Sequence, residues 1–192
     1  MTDQLDDLEA YVGQEAEPPR VARYDVNAAM IRNWVEAHDD HNPVYVDREA
    51  AIATGREDIV CPPAMISTWV MSGLRRYREV QEARAQGRSE DFAYSRLMNT
   101  LDRAGYTSVV ATNVEQTYLR ELHPGDHVTA HYTIESLSPV KQTGLGEGRF
   151  ITLLKHYLDQ DGELVCEERF RLLRFKPKAK PKAKPKAKEE TK

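Results

Sequence analysis

The sequence predicts an α+β fold in which an antiparallel sheet curls around a central buried helix. Apolar residues recur at helical spacing in the first half of the chain, and from Ser108 onward they alternate with polar residues as in half-buried strands. Hydrophobic residues make up 40% of the 192 residues, enough for a sizeable core. A buried helix followed by an antiparallel meander hides its apolar surface only if the sheet wraps around it.

The first helix is expected to start after Asp25 or Asn27, because either residue can act as its N-cap. Four apolar residues then follow at helical spacing: Met30, Ile31, Trp34 and Val35. One face of this helix is therefore expected to meet the core. Pro43 ends it, and a short second helix is expected over residues 48–54, with Gly55 as its end.

The central helix is predicted to begin at Pro62-Pro63, because proline suits the first turn of a helix. Apolar residues of the segment 64–71 surround the helix axis, so burial on every side is expected. The helix is predicted to continue through a solvated, arginine-rich stretch to Gly87. Residues 83–107 form a long insertion with two open interpretations: it widens the mouth of a pocket, or it packs as a flank of the core.

The second half of the chain is predicted to form three or four antiparallel strands. Polar and apolar residues alternate from 127 to 135, which indicates a strand with one buried face. Two more strands are expected at 150–158 and 164–175, joined by a tight turn at Asp161-Gly162. The glycines of 144–148 precede no helix, so they are expected to form a turn or bulge and not a phosphate-binding loop.

The formal net charge of −4 hides an uneven distribution. Residues 176–192 hold eight Lys against two Glu in a repeated Lys-Pro-Lys-Ala pattern, so residues 1–175 form a strongly acidic body. An acidic body opposes specific nucleic-acid binding through the folded surface. The domain is expected to span 1–175, with 176–192 as an extended, disordered tail, because proline at every fourth position forbids a regular helix.

A cytoplasmic protein without a membrane anchor is expected. No run approaches the ~20 apolar residues of a membrane-spanning helix. Six acidic residues and no Lys or Arg precede Arg20, unlike a secretory leader. The two cysteines, Cys61 and Cys166, form neither a disulfide framework nor a metal-binding motif, and neither a metal nor a cofactor is expected.

The segment from Asp40 to Tyr45 carries the most specific signal. It reads Asp-His-Asn-Pro-Val-Tyr and resembles the Asp-x-Asn-Pro-x-His loop of MaoC-like hot-dog hydratases, with Tyr45 in place of the histidine. Within that family the chain is most similar to the larger subunit of actinobacterial steroid side-chain enoyl-CoA hydratases, in which a Lys/Pro-rich linker leads to an OB-type domain. The likeness covers about residues 5–175 and includes three further segments: 112–118, 120–126 and 144–148.

The resemblance implies a hot-dog fold and hydration of a 2-enoyl-CoA, which needs a base, an acid and donors to the thioester oxygen. The family uses an Asp/His pair. Here Asp40 occupies the catalytic position of a degenerate motif, and the phenol of Tyr45 ordinarily titrates at about 10, too high for an efficient base at neutral pH.

The resemblance therefore implies a non-catalytic half of an enzyme. This chain is expected to form the acyl pocket for a bulky acyl-CoA, such as a steroid side-chain thioester. A smaller MaoC-like subunit is expected to supply the catalytic Asp and His in an α2β2 complex. A separate OB-type protein, or a thiolase or aldolase, is a further expected partner.

The expected substrate-contacting residues lie in the loop and at the start of the central helix: Asn42, Tyr45, Pro62, Pro63, Ala64, Met65 and Trp69. Structural roles stay open for each, since Asp40 can cap its own loop, prolines can start a core helix, and Trp69 can simply pack. Three other functions also stay open. They are a self-sufficient homodimeric hydratase that uses Asp40 with Tyr45, His38 or His41, an acyl-CoA-binding scaffold, and a hot-dog thioesterase.

Overall fold

The computed structural model describes residues 8–88 and 91–178. Its helices are α1 (Ala28–His38), α2 (Arg48–Ala53), α3 (Ile66–Trp69), α4 (Gly73–Ala85) and α5 (Ala93–Arg103). Its strands are β1 (Glu15–Val21), β2 (Ser108–Tyr118), β3 (Thr129–Leu137), β4 (Lys141–Gln142), β5 (Glu147–Leu158) and β6 (Leu164–Phe175). The strands form one antiparallel sheet in the order β1-β3-β5-β6-β2, and β4 pairs with β5. Helices pack against this sheet around one main core, which confirms the α+β fold.

The strands after Ser108 show the alternation that the sequence indicates. In β3, Ala130, Tyr132 and Ile134 are at most 6% exposed, because every second side chain of a strand points to the same face. Gly162 has a φ of +81° in the turn between β5 and β6, a conformation that glycine adopts without strain. The predicted number of three or four strands in the second half is wrong, since the described residues from Ser108 onward contain five, β2 to β6, and β1 is a sixth strand in the first half.

The two additional strands escape prediction for local reasons. β1 contains Pro18 and Pro19, and proline lacks the N–H that a central strand uses. It is tolerated here because β1 lies at the edge of the sheet and pairs only with β3. β4 has two residues and precedes a turn at Gly146, whose φ is +140°. The turn expected within residues 144–148 is therefore confirmed.

Helices α1 and α2 lie in the segments that the sequence predicts, but α1 ends at His38 and not at Pro43, because Asp39 adopts the left-handed conformation. Asn27 caps α1, because its Oδ1 accepts a hydrogen bond from the backbone N–H of Met30 at 3.0 Å. Ile31 and Val35 turn one face of α1 into the core. Gly55 follows α2 with a φ of +89°. These helices hold the two ends of the loop that carries the Asp-x-Asn-Pro motif.

The central helix is shorter than predicted. α3 is a single turn, the chain bends, and α4 begins at Gly73 with a φ of +71°. The continuous helix to Gly87 is therefore wrong. The chain turns away from the core after Trp69, and no residue of α4 is buried. The charged side chains of α4 therefore stay hydrated.

The expectation of burial around the whole axis of this segment is also wrong. Met65, Ile66 and Trp69 are at most 4% exposed, but Met71 is 70% exposed. Ala64 is exposed too. The segment therefore buries one face and leaves the other open.

Of the two interpretations of the insertion, the structure supports the packed flank. Ala93, Leu97 and Leu101 lie four residues apart on one face of α5, and each is at most 3% exposed. α5 contacts β1 and the 3-10 helix Leu8–Tyr11. This helix therefore completes the core at the β1 side of the sheet.

Replacing Leu101 with alanine is expected to lower the free energy of unfolding by about 2–5 kcal/mol, because a buried leucine loses transfer free energy and leaves a cavity. Urea unfolding followed by circular dichroism measures the change. Asn99→Ala on the exposed face of the same helix is the matched control, expected within about 0.5 kcal/mol of the unmodified chain. Equal effects of the two substitutions contradict the buried position of Leu101.

The segment after β6 is described as far as residue 178. Nζ of Lys176 lies 3.0 Å from Oε1 of Glu147 and 4.5 Å from the ring centroid of Tyr106. The tail predicted over 176–192 otherwise lies outside the described residues, which end at 178. None of the helices in the described ranges has the length and apolar character needed to cross a bilayer.

Candidate functional site

The motif loop follows directly on α1. Asp39 ends the helix in the left-handed conformation with a φ of 52°, and the backbone N–H of Asp40 donates to the carbonyl of Val35 at 3.0 Å. Oδ1 of Asp40 accepts from the backbone N–H of Asn42 at 3.0 Å. Oδ1 of Asn42 accepts in turn from the backbone N–H of Val44 at 3.3 Å. The polar side chains of the motif thus hold the backbone of their own loop.

The histidines near Asp40 make other contacts. Nδ1 of His38 lies 2.8 Å from the carbonyl oxygen of Trp34, and the two rings stack with centroids 3.9 Å apart. Nε2 of His41 lies 3.2 Å from Oδ1 of Asp39, and both side chains are largely exposed. Among the residues that the structure describes, no hydrogen bond or ion pair joins Asp40 to an imidazole. The loop therefore presents a carboxylate without a paired base.

Tyr45 stands at the motif's histidine position and is half-buried. It ends the 3-10 helix Pro43–Tyr45 and packs against the apolar cluster of Val44, Ala51 and Val60. Its ring thus joins the motif loop to α2. A tyrosine here contributes packing, whereas an imidazole of ordinary pKa accepts a proton near neutral pH.

The start of the central helix borders a cavity of about 310 Å³, called here the proline cavity. Pro62, Pro63 and Ile66 form one side of it, and residues 118–122 form the other. The backbone N–H of Met65 donates to the carbonyl of Pro62 at 2.9 Å. This N–H at the start of the central helix is therefore already engaged within the chain and is not a free donor to a thioester oxygen.

Two of the expected substrate-contacting residues lie in the core. Met65 is 1% exposed and Trp69 is 4% exposed. The indole Nε1 of Trp69 donates to Sγ of Cys61 at 3.3 Å. Burial raises the pKa of the Cys61 thiol to about 12, although the Trp69 hydrogen bond acts in the opposite direction. The thiol therefore stays protonated at neutral pH and packs as a small apolar group.

A cluster of charged groups holds the segment that forms the second side of the proline cavity. Arg120 pairs with Asp126 at 3.1 Å and with Asp159, whose side chain is 2% exposed. Oδ1 of Asp159 also accepts from the backbone N–H groups of Asp161 and Glu163, both at 2.9 Å. Burial alone would raise the pKa of Asp159, but the hydrogen bonds from Arg120 and the backbone together hold that pKa below its ordinary value.

Asp159→Asn is expected to destabilise the chain by about 3 kcal/mol at neutral pH, because the change leaves a half-buried guanidinium without one of its charged partners. A carboxyl whose pKa is lowered by folding stabilises the fold above its unfolded pKa of about 3.9 and loses that effect as the pH falls toward the folded pKa. Urea unfolding at pH 7 and at acid pH should therefore show a difference between variant and unmodified chain that shrinks in acid. A constant difference contradicts the ion pair.

A second cavity, of about 280 Å³, lies between α3 and the inner face of the sheet and is called here the sheet cavity. α3 is a single turn here, and Ser67 of α3 and Tyr94 of α5 line the cavity together with residues of the strands. Ser67 and Val70 form the helix side of this cavity. Tyr132, Lys155 and Phe170 form its sheet side.

The sheet cavity has no contiguous sequence motif, since its residues come from helices and strands far apart in the chain. One signal for it exists in β5. Lys155 shares the inward face of that strand with Leu153 and Tyr157, and a charged side chain at an inward position indicates a buried partner or a site. The partner is Glu168, whose Oε1 lies 2.5 Å from Nζ of Lys155.

The structure separates the expected site residues into groups. Asp40 borders a shallow concave surface that also includes Arg32 and Val46, and this surface shares no lining residue with the proline cavity. Across residues 8–88 and 91–178, no three His, Cys, Asp or Glu side chains gather as metal ligands would. The described residues therefore present Asp40 without an imidazole partner and two separate cavities, and not an assembled acid–base pair.

Together the sheet and the motif loop define the class of protein. Residues 10–168 match the family model described as "FAS1-like, dehydratase domain region". The chain belongs to this family of MaoC-like hot-dog domains, and the hot-dog fold expected from the motifs is confirmed.

Two curated relatives are hydratase subunits. The chain is 49% identical over 171 residues to a Thermomonospora curvata protein named "Probable enoyl-CoA hydratase alpha subunit", covering 89% of this chain and 51% of the relative. It is 46% identical over 160 residues to the 3-oxo-4,17-pregnadiene-20-carboxyl-CoA hydratase alpha subunit of Mycobacterium tuberculosis, covering 83% and 48%. The chain thus spans about half the length of these relatives.

Solved structures agree with this assignment. A chain in the ChsH1-ChsH2 complex from M. tuberculosis superimposes with a TM-score of 0.76 and 40% identity, covering 94% of this chain and 93% of that one. A chain of the HadBC (3R)-hydroxyacyl-ACP dehydratase complex from the same organism has a TM-score of 0.54 at 18% identity, covering 85% and 96%. The second likeness shows the fold alone.

Proposed function

We propose that this chain is the non-catalytic hot-dog subunit of a heteromeric 2-enoyl-CoA hydratase. It shapes the acyl pocket, while a smaller hot-dog partner supplies the catalytic Asp and His in a cytoplasmic α2β2 complex. The names of the two curated relatives support a hydratase subunit, and the likeness to a chain of the ChsH1-ChsH2 complex supports a two-component assembly. The pregnadiene-carboxyl-CoA in the name of one relative supports a bulky, ring-containing acyl group.

The motif loop is the observation that carries this proposal. Hydration takes a proton from water and delivers another to Cα, so a carboxylate without a partner performs only part of the chemistry. Asp40 has its Oδ1 on the backbone of Asn42, and Tyr45 is packed at the position of the family's histidine. A partner that carries the complete motif would restore what this loop lacks.

The interrupted central helix supports the role in substrate binding. Ile66 of α3 lines the proline cavity, while Ser67 and Val70 line the sheet cavity, so α3 lies between the two. Pockets for drug-sized ligands typically measure about 300–1,000 Å³. The sheet cavity, at about 280 Å³, is therefore suited to one end of a bulky acyl group, with the rest held by the partner.

The β2 edge is the surface we assign to the partner. β2 is the last strand in the sheet order and is eleven residues long. Val109, Val114 and Tyr118 are 57%, 58% and 41% exposed. A long edge strand with exposed apolar side chains is a template for pairing with another sheet, and the proline cavity borders its end at Tyr118.

The Lys/Pro-rich residues 176–192 fit a linker in this proposal. The two curated relatives are about twice as long as the matched region. We infer that an OB-type domain, on this or another chain, and a thiolase or aldolase act next to the hydratase. Pull-down with tagged chain, with and without 176–192, tests whether the basic segment recruits such proteins.

Product analysis of the co-expressed complex tests the function. With a 2-enoyl-CoA as substrate, the complex is expected to form the 3-hydroxyacyl-CoA with a mass gain of one water. Release of free CoA without that product would identify a thioesterase and contradict the proposal. Native mass spectrometry of the same sample reports whether two different hot-dog subunits are present and in which ratio.

A further inference from the structure

Two cationic side chains flank one aromatic ring at the sheet cavity. The guanidinium carbon of Arg20, on the edge strand β1, lies 4.9 Å from the ring centroid of Tyr132. Nζ of Lys155 lies 5.6 Å from the same centroid and 4.9 Å from the centroid of Phe170. Arg20, Lys155, Tyr132 and Phe170 all line the cavity. It therefore combines aromatic walls with hydrogen-bond donors.

Each cation is held by its own carboxylate. Nε of Arg20 lies 2.5 Å from Oε1 of Glu17. Nζ of Lys155 lies 2.5 Å from Oε1 of Glu168, which is 3% exposed and also accepts from Gln116 at 2.6 Å. The two pairs balance in charge, so the cavity offers donors without a net positive charge. Such a site suits a neutral acceptor, a ketone or hydroxyl oxygen, better than an anion.

Arg20 is the better placed donor of the two. Its side chain is 41% exposed, against 16% for Lys155, so a ligand reaches it at lower desolvation cost. A guanidinium carries five N–H groups, and the contact with Glu17 through Nε leaves the two Nη groups, with four N–H, outside that contact. Arg20 also lines the two concave surfaces between β1 and α4, so it marks the place where the sheet cavity opens outward.

We propose that the sheet cavity selects acyl groups that carry a hydrogen-bond-accepting oxygen on a ring remote from the thioester, and that Arg20 is the specificity-determining donor to that oxygen. This inference rests on the proposed role of the chain in shaping an acyl pocket. The aromatic walls hold the ring, and the guanidinium fixes its far end. The 3-oxo group in the name of the M. tuberculosis relative's substrate has this chemistry.

The test compares two substrates that differ in one oxygen. The CoA thioester of 3-oxo-4,17-pregnadiene-20-carboxylic acid and its 3-deoxo analogue are each titrated into the complex by calorimetry, and their hydration is followed separately. Arg20→Gln is expected to weaken binding of the oxo compound roughly 10- to 100-fold, the range for a hydrogen bond from a charged donor. Binding of the deoxo compound should change less than about twofold. Because the contact is remote from the reacting atoms, the loss should appear in KM and not in kcat.

The controls separate this inference from a folding defect and from the proposed function. Arg23→Gln, three residues further on and outside the sheet cavity, should leave both titrations unchanged. The double variant Glu17→Gln/Arg20→Gln removes both charges, so Glu17 is not left as an unpaired carboxylate. It should show the same selective loss of binding for the oxo compound. Equal losses for the two compounds, or no loss, overturn the inference. Selective binding without hydration supports the inference and contradicts the hydratase proposal instead.

Discussion

Replacing the motif aspartate of the partner subunit with asparagine is expected to lower the rate of hydration by the complex roughly 100- to 10,000-fold, the usual contribution of acid–base catalysis. Asp40→Asn in this chain is expected to leave hydration within about twofold, because no imidazole pairs with Asp40 in the described part of the chain and asparagine keeps an oxygen that can accept from Asn42. The contrast follows from the proposal that only one of the two loops is catalytic.

Steady-state hydration at saturating 2-enoyl-CoA measures both variants. Tyr45→Phe is a second variant in this loop and should also stay near unmodified turnover, because the ring packs on Val44 and Val60 without a catalytic role for its hydroxyl. A loss of more than about tenfold at Asp40 would instead support the self-sufficient hydratase that uses this carboxylate.

Val114→Arg is expected to prevent assembly with the partner. Val114 lies in the middle of β2 and is 58% exposed. The added charge is therefore hydrated in the free chain but becomes buried without an opposite charge when the second subunit docks. The dissociation constant should rise roughly 30- to 1,000-fold, as for a hot-spot residue. Analytical ultracentrifugation of the mixed subunits measures this change.

The matched control for Val114 is Val140→Arg. Val140 is 41% exposed and lies between β3 and β4, so the added charge is the same but the position is outside the β2 edge. Assembly with this variant should be unchanged. If both variants assemble normally, the β2 edge is not the partner surface.

Much of the fold could be predicted because its signals are local. Alternation in 127–135 marks β3, and Asn27 before an apolar periodicity marks α1. The break in the helix after Trp69 has no comparably strong local signal, because the residues before Gly73 are compatible with a continuous helix. β1 is concealed because Pro18 and Pro19 contradict the usual strand composition.

Only part of the candidate site could be predicted from the sequence. The motif loop is contiguous, so Asp40, Asn42 and Tyr45 could be named together, and the structure places all three in one loop. The sheet cavity is not contiguous. Arg20 and Lys155 are 135 positions apart in the sequence, and only the pairing of β1 with β3 and of β3 with β5 brings them to one ring.

Hydration of a 2-enoyl-CoA by the purified chain alone, beside the same amount of reconstituted complex, tests the division of labour most directly. The chain alone is expected to stay at the uncatalysed rate, and addition of the smaller subunit should bring turnover to that of the co-expressed complex. Full turnover by the solitary chain, unaffected by the second subunit, would show that its own loop suffices and that no catalytic pair is borrowed.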